Sequence, residues 1–159
     1  MAQNPMTDVE FKRLRQFIKP FSALNVFVYK LSGGRLMGKF QGRPVILVTM
    51  KGAKSGQDRT IPLMYVPLKD SVEQGVIVVG SQGGAPKSPV WVKSIQKNSD
   101  VTVQYLGKTV KLRARQVNDA EKAKLWPICV KHYHEYDDYQ ARTDRNIPVF
   151  VCEPRQAGA

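Results

Sequence analysis

The stretch PVILVTMKGAKSGQDR, residues 44–59, decides the fold. Its first half, Val45, Ile46, Leu47, Val48 and Thr49, is an unbroken run of apolar and β-branched side chains. Such side chains fit a pleated surface that is covered, so the run predicts a buried strand. It stops abruptly where Gly52 and Gly56 bracket Ala53, Lys54 and Ser55. A backbone free to take positive φ there can turn N–H groups, a hydroxyl and an ammonium toward one concave spot suited to a phosphate or carboxylate. After Arg59 the chain resumes as a second strand over residues 60–66, so the loop joins strand to strand. A Walker-type phosphate loop needs a glycine directly before its lysine and a helix after it, and this loop has neither. Taken alone, it reads more simply as a hairpin turn whose lysine and serine face water.

A second loop of the same kind lies downstream. Residues 60–68 form a strand interrupted at Pro67, residues 69–74 turn, and Val76, Ile77, Val78 and Val79 make a third apolar run that ends in Gly80-Ser81-Gln82-Gly83-Gly84. Ser88 and Pro89 then suit the cap and first turn of a short helix to Lys97, with Val90, Trp91 and Ile95 inward. Residues 101–105 and 110–117 read as a hairpin about Leu106-Gly107-Lys108. Asn118 and Asp119 cap a helix that Pro127 bends or restarts. Tyr133, Tyr136 and Tyr139 recur at three-residue spacing within residues 132–145, where helical geometry would group their rings. Residues 147–152 close as a final strand and residues 155–159 as a loose tail.

Upstream, Thr7 and Glu10 make a capping box for a helix with Val9, Phe11, Leu14, Phe17, Ile18 and Phe21 on one side and Lys12, Arg13, Arg15 and Lys19 on the other. Pro20 is expected to kink or end it. Residues 25–31 read as a further helical turn or a short strand, and residues 35–42 as an edge strand or tight loop. Mostly antiparallel strands with outlying helices point to a small antiparallel barrel or strongly curved sheet, a mainly β, α+β architecture.

The chain has 159 residues, 42% of them hydrophobic, enough for one domain with a core. Lys and Arg number 25 against 13 Asp and Glu, a net charge of +12 that calls for an anionic partner: nucleic acid, an acidic membrane face or a polyanionic small molecule. No recognition helix, zinc module or paired aromatic sheet motif speaks for nucleic acid. Cys129 and Cys152 sit in apolar context and read as reduced core thiols of a cytoplasmic protein. No signal peptide is visible at residues 1–10, and no apolar run nears the ~20 residues needed to span a bilayer. The basic, amphipathic first helix fits peripheral binding to an anionic membrane as well as an ordinary surface helix. His132 and His134 are two apart, off any common helical face, so no metal site is expected. Glu135, Asp137 and Asp138 read as solvated. What remains is two glycine loops able to cradle an anionic cofactor, with Trp91 and a group of tyrosines able to pack on a planar ring.

These signatures fall into register with one family. Gly38-Lys39-Phe40-Gln41, residues 52–59, Pro62-Leu63, residues 80–84 with Pro89-Val90-Trp91, Tyr136-Asp137-Asp138-Tyr139-Gln140 and residues 143–148 match in order. From about residue 28 to 154 the chain resembles the deazaflavin-dependent nitroreductases, also described as reduced-deazaflavin-dependent quinone reductases, of actinobacteria. The resemblance implies a split β-barrel of FMN-binding type over residues 25–154, behind an amphipathic helix over residues 1–24. It implies coenzyme F420, an 8-hydroxy-5-deazaflavin with a phosphate and an oligoglutamate tail. Lys54, Ser55, Gly56, Gln57 and Arg59 would hold the phosphate, with Val48 and Thr49 beneath, and Lys39 and Arg43 would meet the tail. Ser81, Gln82 and Gly83 would approach the ring, Trp91 would pack beside it, and Pro62 and Met64 would floor it. Tyr133, Tyr136 and Tyr139 would wall a pocket for a quinone or nitro compound. Tyr136, or in second place Ser81, would donate a proton or hydrogen bond to the developing oxyanion. A deazaflavin has carbon where a flavin has nitrogen, which favours hydride donation over one-electron chemistry. A module that binds deazaflavin without turnover, and an FMN-dependent relative on the same fold, are the alternatives.

Overall fold

The structure, a computed structural model, describes residues 2–36, 39–40 and 42–155. Gly38 and Gln41 of the matched segment, and the tail from residue 156, lie outside the described residues. The strands are β1 (Lys39–Phe40), β2 (Arg43–Lys51), β3 (Asp58–Met64), β4 (Val66–Pro67), β5 (Val76–Val79), β6 (Asp100–Tyr105), β7 (Lys108–Gln116) and β8 (Val149–Pro154). The helices are α1 (Asp8–Leu31), α2 (Val90–Lys97), α3 (Asp119–His132) and α4 (Glu135–Ala141).

Strand β2 is the hub. It pairs with β3 on one edge, Val48 opposite Ile61, and with β6 on the other, Val48 opposite Val103. Its alternation divides the core: Ile46, Val48 and Met50 point into the barrel, while Val45 and Leu47 pack outward against Tyr29 of α1. Burial on both faces is why this strand reads as a continuous apolar run.

All pairings are antiparallel, in the circuit β2, β6, β7, β8, β5, β4. Tyr65 alone separates β3, which pairs with β2, from β4, which pairs with β5, so residues 58–67 act as one bent strand that completes the circuit. Between β3 and β5 no strand pairing occurs among the described residues, and the barrel is split there. Phe150, Val78, Val101 and Leu112 fill its interior, and Trp91 of α2 plugs one end with its ring centroid 5.7 Å from that of Phe150. Helices α3 and α4 cover the outer face of β5 and β8 through Ile77, Val149 and Val151. Leu106 and Gly107, at φ 46° and 79°, make the two-residue turn between β6 and β7.

Several expectations need correction. Helix α1 is capped by Thr7 and Glu10 as expected, but it runs past Pro20 to Leu31, so residues 25–31 are its last turns. Its packed side is Asn25 and Tyr29, and Val9, Phe17 and Ile18 are exposed, because only its C-terminal part meets the sheet. Val90 is 78% exposed, and Val92 takes the inward place beside Trp91 and Ile95. Helix α3 continues through Pro127 to His132. The tyrosine segment is no single helix, since Tyr133 sits at the break between α3 and α4. The last strand begins at Val149 rather than at residue 147.

Because Phe150 is 1% exposed and central to the barrel interior, Phe150→Ala is expected to cost about 3–5 kcal/mol. In urea denaturation the midpoint should fall with the slope unchanged.

Candidate functional site

The first glycine loop, residues 52–57, is a closed turn. Gly52 N donates to Gln57 O at 2.8 Å, and Gly56 N donates to Gly52 O at 2.9 Å. Gly56 sits at φ 68° with nothing within 4 Å of where a Cβ would be, so its backbone lies open to solvent. Ser55 Oγ accepts from Gln57 N at 3.2 Å. Lys51 is paired with Asp58 at 2.8 Å, whereas Lys54 and Arg59 are exposed and have no ion-pair partner among the described residues. Helix α2 fixes the turn from outside: Ala53 N donates to Ser94 Oγ at 3.3 Å, and Lys97 Nζ donates to Ala53 O at 2.7 Å.

The second loop begins where β5 ends, and Gly80 is closely packed there, since a Cβ on it would meet Pro148 Cγ at 2.8 Å and Val92 Cγ2 of α2 at 2.9 Å. The same short helix therefore touches both glycine loops at one end of the barrel, and the second is also tied to Pro148, whose carbonyl accepts from Gly80 N at 2.8 Å. Gln82, Gly83 and Gly84 all have positive φ, at 44°, 63° and 76°. Gly84 is obligatory, because a Cβ there would stand 2.5 Å from Tyr139 O. Arg145 underlies the loop: Nη1 donates to Gly80 O at 3.1 Å and to Ser88 Oγ at 3.3 Å, Nη2 to Ser81 O at 2.6 Å, and Nε to Ala85 O at 2.8 Å. Burial lowers the guanidinium pKa from its ordinary value.

The outward face of the β2–β3 ladder leads away from the first loop as a floor at Thr49, Thr60 and Pro62, and beyond them α1 covers it, with Val26 and Tyr29 packed on Val45, Leu47 and Met64. Thr49 opposes Thr60, Leu47 opposes Pro62 and Val45 opposes Met64, and the two threonine hydroxyls share a hydrogen bond of 2.8 Å. Six strand steps, roughly 20 Å, separate Asp58 from Met64. At the Met64 end a cleft of about 120 Å³ opens, lined by Met64, Tyr65, Pro67, Arg43, His132, Tyr133 and Tyr136. The tyrosine rings do cluster: Tyr133 and Tyr136 lie 5.0 Å apart edge to face, and Tyr139 lies 6.0 Å from Tyr133. Tyr133 and Tyr139 hydrogen-bond through their hydroxyls at 2.9 Å. The Tyr136 hydroxyl makes no hydrogen bond within the described residues, although the ring is almost wholly buried at 3% exposure.

The sequence-derived residues thus fall into three groups. Lys54, Ser55, Gly56, Gln57 and Arg59 share the first loop, with Thr49 and Pro62 on the floor beside it. Ser81, Gln82 and Gly83 share the second, and Met64, Tyr133 and Tyr136 share the cleft, with Tyr139 behind. Val48 and Trp91 point into the barrel interior and lie under the site, because inward positions alternate with outward ones on β2 and α2 turns its apolar side to the core. Asp137 is no free carboxylate, since it accepts from Trp126 Nε1 at 2.7 Å. Burial pushes the Cys129 thiol up to about 11 and that of Cys152 up to about 12, so both stay protonated and unreactive. Residues that sequence reasoning missed are Ser94 and Lys97, Thr60, Arg145, and Arg43 and His132 as cleft residues. Thr60 alone carried a signal, as the threonine that meets Thr49 if the two runs pair symmetrically about the loop.

A family model described as F420H(2)-dependent quinone reductase matches residues 22–154. An F420H(2)-dependent quinone reductase of Mycobacterium tuberculosis is 34% identical over 132 residues, covering 80% of this chain and 86% of that protein. A solved F420-H2 dependent reductase superposes with a TM-score of 0.62 at 39% identity, covering 70% of this chain and 95% of the other. A further structure, described as a domain-swapped dimer, gives a TM-score of 0.63 at 34% identity, covering 83% of this chain and all of the other.

Burial holds the phenols of Tyr29, Tyr65, Tyr133 and Tyr136 above their ordinary value. An upward shift means that the native state keeps protons which the unfolded chain releases near pH 10. This stabilisation is complete below about pH 10 and is lost as pH rises beyond it. In an alkaline titration followed at 295 nm, these tyrosines are expected to ionise only together with the loss of the native circular dichroism signal.

Proposed function

The chain belongs to the F420H(2)-dependent quinone reductase family, and from that membership we infer that it is an oxidoreductase moving a hydride from reduced coenzyme F420 to a quinone or another planar activated electrophile, such as a nitroaromatic or an enone. One observation supports the reading from the chain itself: α2 touches both glycine loops at one end of the split barrel, through Ser94, Lys97 and Val92, and a cleft at the Met64 end of β3 carries Tyr136, whose hydroxyl makes no hydrogen bond among the described residues. The residues suit a long anionic cofactor. Lys54 and Arg59, without ion-pair partners among the described residues, and the open backbone of Gly56 stand at one end, and Pro62 offers partly buried apolar surface beside them.

In this reading Lys54 and Arg59 neutralise the phosphate, while Ser55, Gly56 and Gln57 present hydroxyl and backbone donors to it. Ser81, Gln82 and Gly83 would meet the ring, Thr49 and Pro62 would support it, and Val48 and Trp91 stiffen the sheet from the barrel interior. Bound reduced deazaflavin supplies the hydride. Tyr136, protonated and with its hydroxyl unspent, donates to the oxygen of the acceptor as charge develops there, and Ser81 is the second candidate. Tyr133 and Tyr139 hold the Tyr136 ring in place, and Met64 and Tyr65 exclude water from the cleft.

Among the described residues no helix is long and apolar enough to cross a membrane. We also infer peripheral contact with an anionic membrane surface through α1. Val9, Phe17, Leu24, Phe27 and Leu31 are exposed and share one side of this helix, with Lys12, Arg13 and Arg15 close by.

Purified protein should oxidise reduced deazaflavin with menadione as acceptor, and Tyr136→Phe should lower kcat roughly a hundredfold. Lys54→Ala and Arg59→Ala should each weaken deazaflavin binding about tenfold, as the loss of a charge-assisted contact would. No acceptor-dependent oxidation despite quenched cofactor fluorescence would select a binding module instead, and a yellow protein as isolated would select FMN. For α1, Phe17→Glu with Phe27→Glu should abolish cosedimentation with vesicles containing phosphatidylglycerol; unchanged sedimentation would refute the contact.

A further inference from the structure

Arg145 is a half-buried cation with no carboxylate in ion-pair distance among the described residues. Its donors go to Gly80 O, Ser81 O, Ala85 O and Ser88 Oγ instead. An unpaired guanidinium is costly to bury unless its fork of donors is matched by well-placed acceptors, so four acceptors from one loop form a specific arrangement. The peptide bonds of the chain are all trans among the described residues. In a trans peptide the N–H lies opposite the carbonyl oxygen of the residue before it. With the Gly80 and Ser81 oxygens drawn to Arg145, the Ser81 and Gln82 N–H groups are turned to the far side of the loop. The same clamp accounts for Gln82, a residue with a side chain held at φ 44°, a strained conformation that persists only when its surroundings impose it.

The main chain of Arg145 is itself tethered. Gln140 Nε2 donates to Arg145 O at 2.8 Å, and Arg145 N donates to Thr143 Oγ1 at 3.3 Å. Gln140 belongs to α4, the helix that carries Tyr136 and Tyr139. Arg145 therefore joins the second glycine loop to the helix that bears the phenols.

We propose that Arg145 is the positioning residue of this site: it clamps residues 80–88 so that the Ser81 and Gln82 N–H groups face the deazaflavin, and it keeps that loop in register with the Tyr136 helix. The proposal rests on the function inferred above and assigns Arg145 no contact with cofactor or acceptor. Lysine would preserve the charge but not the fork, so the conservative exchange is a real test.

The experiment compares the full chain with Arg145→Lys, Arg145→Ala and Ser88→Ala. In cofactor-free protein, hydrogen exchange at Gly84 and Ala85, whose amides close the turn onto Ser81 O and Gln82 O, should accelerate at least tenfold in Arg145→Lys, with β2 and β8 unchanged. Titration with oxidised deazaflavin should show at least tenfold weaker binding for both Arg145 variants and about threefold for Ser88→Ala, while KM for menadione moves less than twofold. Guanidinium ion at tens of millimolar should restore binding to Arg145→Ala, and urea at the same concentration should not. Unchanged loop exchange and unchanged affinity in Arg145→Lys would overturn the proposal and leave the inferred function standing. So would a loss of binding that follows global destabilisation and is not rescued. If Arg145→Ala does not fold, Arg145→Lys and Ser88→Ala decide by the same readouts. Failure of the unaltered chain to bind deazaflavin would overturn the function and this role together.

Discussion

Strand β2 is bonded on both edges and covered on both faces, and the rest of the molecule is arranged around that double enclosure. Each face demands its own apolar cover: the barrel interior takes Ile46, Val48 and Met50, while α1 takes Val45 and Leu47. Each edge demands a partner strand, β3 on one side and β6 on the other. A strand so enclosed leaves a ligand little but its ends, so chemistry is displaced there. At the Lys51 end stands the basic glycine turn, and at the Arg43 end stands the cleft with Tyr136.

Neither glycine loop is held by its own hydrogen bonds alone. The first leans on Ser94 and Lys97, the second on Val92 and Arg145, and three of those four residues are on α2. Loops so braced are already organised before any ligand arrives, which lessens the ordering cost of binding. The phenols are organised in the same sense. Tyr133 and Tyr139 satisfy each other, and of the three hydroxyls only that of Tyr136 stays unspent among the described residues.

What could be read from the residues follows the range of the forces concerned. The apolar run of β2, the capping box of α1, the hairpin at Gly107 and the two glycine loops are written in near neighbours, and the structure contains each of them. Pro20 and Pro127 misled because a proline removes one donor from a helix, a local loss that the rest of a long helix outweighs in α1 and α3. Val90 misled for a different reason: which side of a short helix faces the core depends on the angle at which it crosses the barrel end, and no local pattern encodes that angle. Arg145 lies sixty-odd residues from the carbonyls it binds, so its place in the site could not be read from spacing at all. The cleft residues Arg43 and His132 were hidden in the same way, brought together only by the closure of the circuit.

That circuit closes through an unusual joint. Elsewhere neighbouring strands are stitched by ladders, but between β3 and β5 none occurs among the described residues, and the chain bends there through Tyr65, whose ring meets that of Tyr105 edge to face at 5.8 Å. A seam without cross-links can gape without tearing any rung. The slit can thus widen with no ladder rung broken, at the expense of the side-chain packing of Ile61, Leu63 and Tyr65 against the interior.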